Sequence, residues 1–319
     1  MRKFLVLPMV AAIACGSQSF KDQSREALPS KDTVAMGAPS GSSGASSSSD
    51  QITQNSTAGQ HSPFFDLTVA VAATFNLSAA GILGIVEAVT QNEPTSCTTD
   101  SCTWGPGSGP LDYNNFKLVV SRAGDGFDWA LSGQAKTRPT SDFVTFISGH
   151  AVPGPQPHHG TGNFTVDFDA SNTLDGPHDA TGKLVVSSYS NVGPAQLDAI
   201  YTGAKDSQHA GQFNNIAYAY ANNATGGGDL QFAVHNTTSQ DNFSVHSRWK
   251  NDGQGRADVE GHGGGVDVQL SECWGAAPFV VSYFNSSITL NVPPFGGPVS
   301  GIESACVYAP AAFATLTAP

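Results

Sequence analysis

Charge is scarce in this chain, and positive charge is scarcest. Of 319 residues only 13% are Asp, Glu, Lys or Arg, and 14 basic residues face 26 acidic ones, a net charge of −12. A surface this acidic excludes the broad positive face that nucleic acid requires. It also disfavours adsorption to anionic lipid head groups. No Gly-x-Ser-x-Gly elbow occurs, so the strand–turn–helix nucleophile of one large hydrolase class is missing. Nor do the cysteines show a usual zinc spacing: four residues separate Cys97 from Cys102, and Cys273 and Cys306 stand alone. No pair of carboxylates is singled out for glycosidase chemistry. Nothing in the chain calls for a cofactor. Large apolar side chains are few between residues 16 and 62, where Ser, Gly, Gln and Asp dominate. Such a segment cannot bury enough surface to offset its ordering entropy, and is expected to be a disordered tether.

What is present begins with an address. Met1-Arg2-Lys3 is basic, Phe4 to Ala14 is short and apolar, and small residues precede Cys15. This is the form of an export signal over residues 1–14, and the run is too short to span a bilayer. Ala12-Ile13-Ala14-Cys15-Gly16 resembles a bacterial lipobox, with Ala12 in place of the more usual leucine. That resemblance implies lipidation of Cys15 and a membrane partner through the anchor. Gly16, rather than Asp, implies sorting to the outer membrane of a Gram-negative cell. Removing residues 1–14 takes away Arg2 and Lys3 and no acid, so the net charge moves from −12 to −14. In an oxidising compartment Cys97, Cys102, Cys273 and Cys306 form an even set with three connectivities. Proximity favours Cys97–Cys102, which leaves Cys273–Cys306 to join the last strands to the tail.

The 63–319 region, about 255 residues, is long enough for one domain with a proper core. It opens on an apolar stretch, Phe64 to Val89, without charge or proline from Leu67 to Val86. Leu67, Val71, Phe75, Ser78, Ile82, Val86 and Val89 recur at helical spacing, so the stretch is expected to be one long helix with that face inward. Its first half also alternates like a strand, and its length would permit a membrane span. Asn76, Ser78, Thr68 and Thr74 favour burial under a sheet instead.

From residue 113 the period changes to two. Phe116, Leu118 and Val120 alternate with Lys117, Val119 and Ser121; Phe127, Trp129 and Leu131, then Phe164, Val166 and Phe168, repeat the pattern. Ile216, Tyr218 and Tyr220, then Leu230, Phe232 and Val234, then Phe243, Val245 and Trp249, then Val266, Val268 and Leu270 follow. These are strands with one dry and one wet face, separated by turns such as Gly124-Asp125-Gly126 and Asn251-Asp252-Gly253. The expected fold is mainly β: a long curled antiparallel meander of about ten strands, open or barrel-like, packed on one N-terminal helix. A transmembrane barrel alternates in the same way, but the anchor and the small wet-face residues argue against it.

The order of helix, Pro94-Thr95-Ser96, Trp104-Gly105-Pro106, meander, Ser271-Glu272-Cys273-Trp274 and Cys306 resembles a family of uncharacterised outer-membrane lipoproteins of myxobacteria. The family has no assigned activity, so the resemblance implies an address and a fold but no catalytic residue. More loosely, a lipidated curled sheet around a helix is similar to periplasmic lipoprotein carriers, which implies an apolar ligand between sheet and helix.

Three motifs remain. His262-Gly263-Gly264-Gly265 matches an esterase oxyanion string, but without a nucleophile it reads as a hairpin turn. Asp167 to His178 has oxygen ligands at alternate places, yet Asn172 replaces the glycine and His178 the glutamate of a calcium loop. His235 and His246 fall on wet faces of strands expected to pair. The function these readings support is a non-catalytic binding or structural role at the cell envelope, with a secreted hydrolase as the alternative and no protein partner identified.

Overall fold

The computed structural model describes residues 19–40, 56–109, 112–206, 209–290 and 292–319. The expected signal peptide 1–14 and Cys15 lie outside the described residues, as does the 41–55 part of the expected tether. One antiparallel sheet of 15 strands dominates, and each strand pairs with the next in sequence. The strands are β1 (Ser96–Cys97), β2 (Ser101–Gly107), β3 (Asn114–Ala123), β4 (Gly126–Ala135), β5 (Val144–Pro153), β6 (Gly160–Asp167) and β7 (Lys183–Ser190). They continue with β8 (Gln196–Lys205), β9 (Phe213–Asn222), β10 (Gly228–Asn236), β11 (Asn242–Trp249) and β12 (Gly255–Gly263). The series ends with β13 (Val266–Trp274), β14 (Val281–Leu290) and β15 (Val292–Gly301). β1 and β15 stand at opposite ends of the strand order, so the sheet is open and no barrel closes.

Helix α2 (Pro63–Thr90) begins where expected, with Ser62 capping it by accepting from the Phe65 amide and Pro63 in the first turn. It is long and apolar enough to cross a membrane by length and composition. It lies instead against the inner face of the sheet. Its N-terminal end packs with β10–β14 around Phe232, Val245, Trp274 and Phe284, and its C-terminal end packs with β2–β8 around Trp104, Leu118 and Trp129.

The inward stripe of α2 is turned from the expected one. Phe65, Thr68, Ala72, Phe75, Ala79, Leu83, Val86 and Thr90 are buried, while Leu67, Val71, Ile82 and Val89 flank them half-exposed and Ser78 is exposed. Small residues face the sheet because they let the helix axis approach it. The larger neighbours fill the space on either side. Thr68 is satisfied there: its hydroxyl donates to the Phe64 carbonyl at 2.7 Å and lies 2.6 Å from Ser247 Oγ.

Residues 19–40, expected as tether, are packed instead. Helix α1 (Phe20–Ala27) is capped by Ser19. Phe20 stacks edge-on with Phe127, and Leu28, Val34 and Met36 are buried in the main core. The backbone of Met36 bonds both ends of the Asn76 amide, at 2.7 and 2.8 Å. Ser40 reaches the Asn251 carbonyl at 2.9 Å. Residues 59–62 are ordered too, through backbone bonds of Gly59, Gln60 and Ser62 to Val281 and Phe279. Composition missed this because the few apolar residues of the segment, Leu28, Val34 and Met36, are all spent on one contact.

The strand count also exceeds the expected ten. Inner-face alternation fails where glycine stands opposite an indole or phenyl ring. In register, Trp129 faces Gly149 and Gly149 faces Phe164. A Cβ on Gly149 would meet Phe164 Cβ at 2.7 Å. Likewise Gly228, Trp249, Gly255 and Trp274 form one cross-strand row. The rings occupy the glycines' share of the inner face, so the alternation of large apolar residues is broken there.

Candidate functional site

The outer face of β10–β14 is built from four cross-strand rows. Register places Asp229, Arg248, Arg256, Cys273 and Tyr283 in the first, and Gln231, His246, Asp258, Ser271 and Asn285 in the second. The third holds Ala233, Ser244, Glu260, Gln269 and Ser287; the fourth holds His235, Asn242, His262, Asp267 and Thr289. After β15 a short 3-10 turn, Glu303–Ala305, brings the chain back over these rows.

The returning segment runs over the first two rows, in which Arg256, Cys273, Tyr283, His246, Asp258 and Ser271 are buried and Asp229, Gln231, Arg248 and Asn285 half-buried. Cys273 and Cys306 are at disulfide distance, with Cα atoms 5.8 Å apart, and hold its start to β13. Asp258 is fully buried and accepts from Arg256 Nε at 2.8 Å, Arg248 Nη2 at 2.8 Å, Ser271 Oγ at 2.7 Å and the Ala312 amide at 3.0 Å. Arg256, also fully buried, has Nη2 2.9 Å from Glu303 Oε1, close enough for charge though not aligned as a hydrogen bond. Tyr308 lies against the Arg248 guanidinium and Tyr283 against that of Arg256, at 5.4 and 5.9 Å. The two arginines and the two acids balance, which is how a charge cluster survives burial. His246 faces two acceptors, the Ala312 carbonyl from Nδ1 at 2.8 Å and Asp229 from Nε2 at 2.9 Å.

The third and fourth rows are open. Apart from His235, they line a groove of about 550 Å³ together with the Ala314–Ala318 stretch of the returning segment. Its floor offers the hydroxyls of Ser244, Ser287 and Thr289, the amides of Asn242 and Gln269, and the carboxylates of Glu260 and Asp267; Leu316 forms an apolar wall. Both carboxylates are already engaged, Glu260 by Gln269 at 2.6 Å and Asp267 by His262. The groove therefore presents mixed donors and acceptors with its acids partly neutralised, a lining suited to a polar, uncharged ligand.

One ionisable group faces the other way. Glu272 is fully buried on the inner face at the start of α2, accepting from the Ser62 hydroxyl and from the Phe64 amide at 3.3 Å. Burial pushes its carboxyl up to about 7, against the pull of those hydrogen bonds. Its Oε2 has no partner.

The expected candidates sort as follows. Cys97 and Cys102 are at disulfide distance, Cα atoms 4.1 Å apart, as a cross-strand pair of β1 and β2. The glycine string after His262 is the β12–β13 hairpin, with Gly264 and Gly265 at positive φ. Asp167 caps the short helix α3 (Phe168–Ser171) and pairs with Lys183 at 2.9 Å. Asp169 accepts from the Gly182 amide, so the acids of that loop stabilise the loop itself. His235 and His246 share the outer face, but each contacts the returning segment rather than the other. Among the described residues no group of His, Cys, Asp and Glu could hold a metal ion. Arg256, Asp258 and Glu272 were not singled out from sequence. Glu272 continues the inward phase of Val266, Val268 and Leu270, and that was the available signal. No family model, curated protein or solved structure matches the chain.

Proposed function

We propose that this chain is an exported lipoprotein, anchored through Cys15 at the outer membrane or surface of a Gram-negative cell, with a non-catalytic binding role. The leader, the lipobox-like Ala12–Gly16 and the four further cysteines support the address. The resemblance to myxobacterial outer-membrane lipoproteins is part of the same proposal. The observation that carries the binding reading is the outer-face groove of about 550 Å³, whose floor is fixed by five paired strands. An apolar ligand between helix and sheet is the weaker form of the proposal. Phe75, Leu83, Trp104 and Leu118 are already packed and buried in that space. A secreted hydrolase is the alternative, and the engaged state of Glu260 and Asp267 weighs against it.

The test has two arms on the full chain. Cys15→Ser should move the protein from the membrane to the soluble fraction. Ser244→Trp should fill the groove and weaken binding to envelope saccharides or peptides at least tenfold, with the melting temperature unchanged. Wild-type protein recovered soluble and unlipidated would refute the address. A ligand bound equally by Ser244→Trp would refute the groove.

A further inference from the structure

The returning segment is held almost entirely by its backbone. Residues 307–319 carry no charge, and beyond the turn at Glu303–Ala305 they form neither helix nor strand. Yet side chains from four adjacent strands reach their main-chain atoms. Asp258 of β12 accepts from the Ala312 amide at 3.0 Å, and His246 of β11 bonds the Ala312 carbonyl at 2.8 Å. Gln231 of β10 accepts from the amides of Thr315 at 3.0 Å and Leu316 at 3.4 Å. At the far end His235 of β10 and Asn215 of β9 both bond the Pro319 oxygen at 2.8 Å. These contacts read amides and carbonyls, which every peptide has. They ask little of the side chains beyond small size and absence of charge.

We propose that the outer face of β9–β12 is a main-chain-reading peptide site, held in cis by the chain's own 307–319 segment, which accepts an extended uncharged peptide of another chain when that segment lifts. Two features make lifting local. The segment is tied covalently at Cys306, so its departure leaves Glu303 of the turn beside Arg256 and frees Asp258 and His246 to meet an incoming main chain. Most of its residues are half-exposed, with Thr315, Thr317 and Pro319 fully so, and it borders the open groove along Ala314–Ala318. Such an edge belongs to the low-stability end of a fold. The proposal deepens the binding reading but uses Gln231, His235 and Asn215, which do not line the groove, so either can fail alone.

The probe is a fluorescent peptide of sequence Val-Tyr-Ala-Pro-Ala-Ala-Phe-Ala-Thr-Leu-Thr-Ala-Pro, the 307–319 segment itself. The full chain with Ala312→Pro and Thr315→Pro loses two of the amides that hold the segment. It should bind the peptide at least tenfold more tightly than wild type. Adding Gln231→Leu and His235→Leu should abolish the gain. No binding to the loosened chain, or binding indifferent to Gln231→Leu and His235→Leu, would overturn the proposal. Hydrogen exchange on unmodified protein gives an independent reading that needs no variant to fold. The Ala312, Thr315 and Leu316 amides should exchange faster than those of β10–β12. If they exchange only with global unfolding, the site never opens and the proposal is wrong.

Discussion

Asp258 and Glu272 are both fully buried acids on neighbouring strands, and the two faces of the sheet treat them differently. Asp258 has two arginines within 2.8 Å. Asp258→Ala would strand the Arg256 guanidinium in the interior, and should cost about 3–5 kcal/mol in chemical denaturation. A loss below about 1 kcal/mol would mean that water reaches the cluster. Glu272 has no arginine or lysine paired with it, and burial raises its carboxyl to about 7 from an ordinary 4.5 against the weaker pull of nearby His61. The folded state therefore holds the proton more tightly than the unfolded chain, and stability falls as pH rises through the interval from 4.5 to about 7. The full interval corresponds to about 3 kcal/mol. His61, raised chiefly by its hydrogen bond to Asp66, acts with the same sign: its contribution is present below 6.5 and lost above. Asp167 and Asp175 are lowered, so their opposite effect lies at more acidic pH. Melting temperature should thus fall between pH 5 and 8 in wild type and fall much less in Glu272→Gln. A wild-type curve that rises over this range would contradict the burial argument. At this scale little was legible. Arg256 and Asp258 were not read from the chain at all, and the segment over them returns from residues 303–319, a contact too distant in sequence for periodicity to see.

Elements were more legible, because their signals are local. Helical spacing around an uncharged run located α2 to within a residue at each end. Its rotation was misjudged because hydrophobicity ranks Leu67 and Val71 above Thr68 and Ala72, while the sheet selects for close approach. Phe75 belongs to both the expected and the observed stripe. Its ring is buried and meets Tyr218 edge-on at 5.3 Å. Phe75→Ala should cost about 3–5 kcal/mol, and added fatty acid should not restore the melting temperature. Recovery with fatty acid would show that the cavity left behind binds apolar ligands, and would revive the helix–sheet site. Among strands, β3, β4, β6, β9, β10, β11 and β13 were read from their large alternating residues, β11 in spite of the buried Ser247. β5, β7, β8, β14 and β15, whose runs contain glycine or serine, were not. In β5 the interruption is Gly149, where rings from β4 and β6 require the space.

At the scale of the molecule the ordered 19–40 segment changes how the domain would sit on a membrane. A flexible tether over residues 15–62 would have let it roam roughly 35–40 Å from its anchor. With α1 packed on β4 and capped by Ser19, only the stretch from Cys15 to Ser19 separates the proposed lipid from the fold. Four residues reach at most about 14 Å. In an up-and-down meander all turns after odd-numbered strands lie at one end and all turns after even-numbered strands at the other. Phe20 sits on Phe127 and beneath Arg122, beside the β3–β4 turn, so the proposed anchor would emerge at the odd-turn end. The opposite end, with the β10–β11 turn at Thr238, is a strand length away, roughly 30 Å. A fluorophore at Asp125, whose side chain is 84% exposed, should be strongly quenched by lipid-phase quenchers in vesicles carrying the lipidated protein. A fluorophore at Thr238 should not. Inserting about twenty Gly/Ser residues after Gly16 should erase the difference, because a coil of that length again spans some 25 Å. Equal quenching at both positions without the insertion would mean that α1 detaches from the sheet at the membrane, and that the tether expected from composition is the form the lipidated protein adopts.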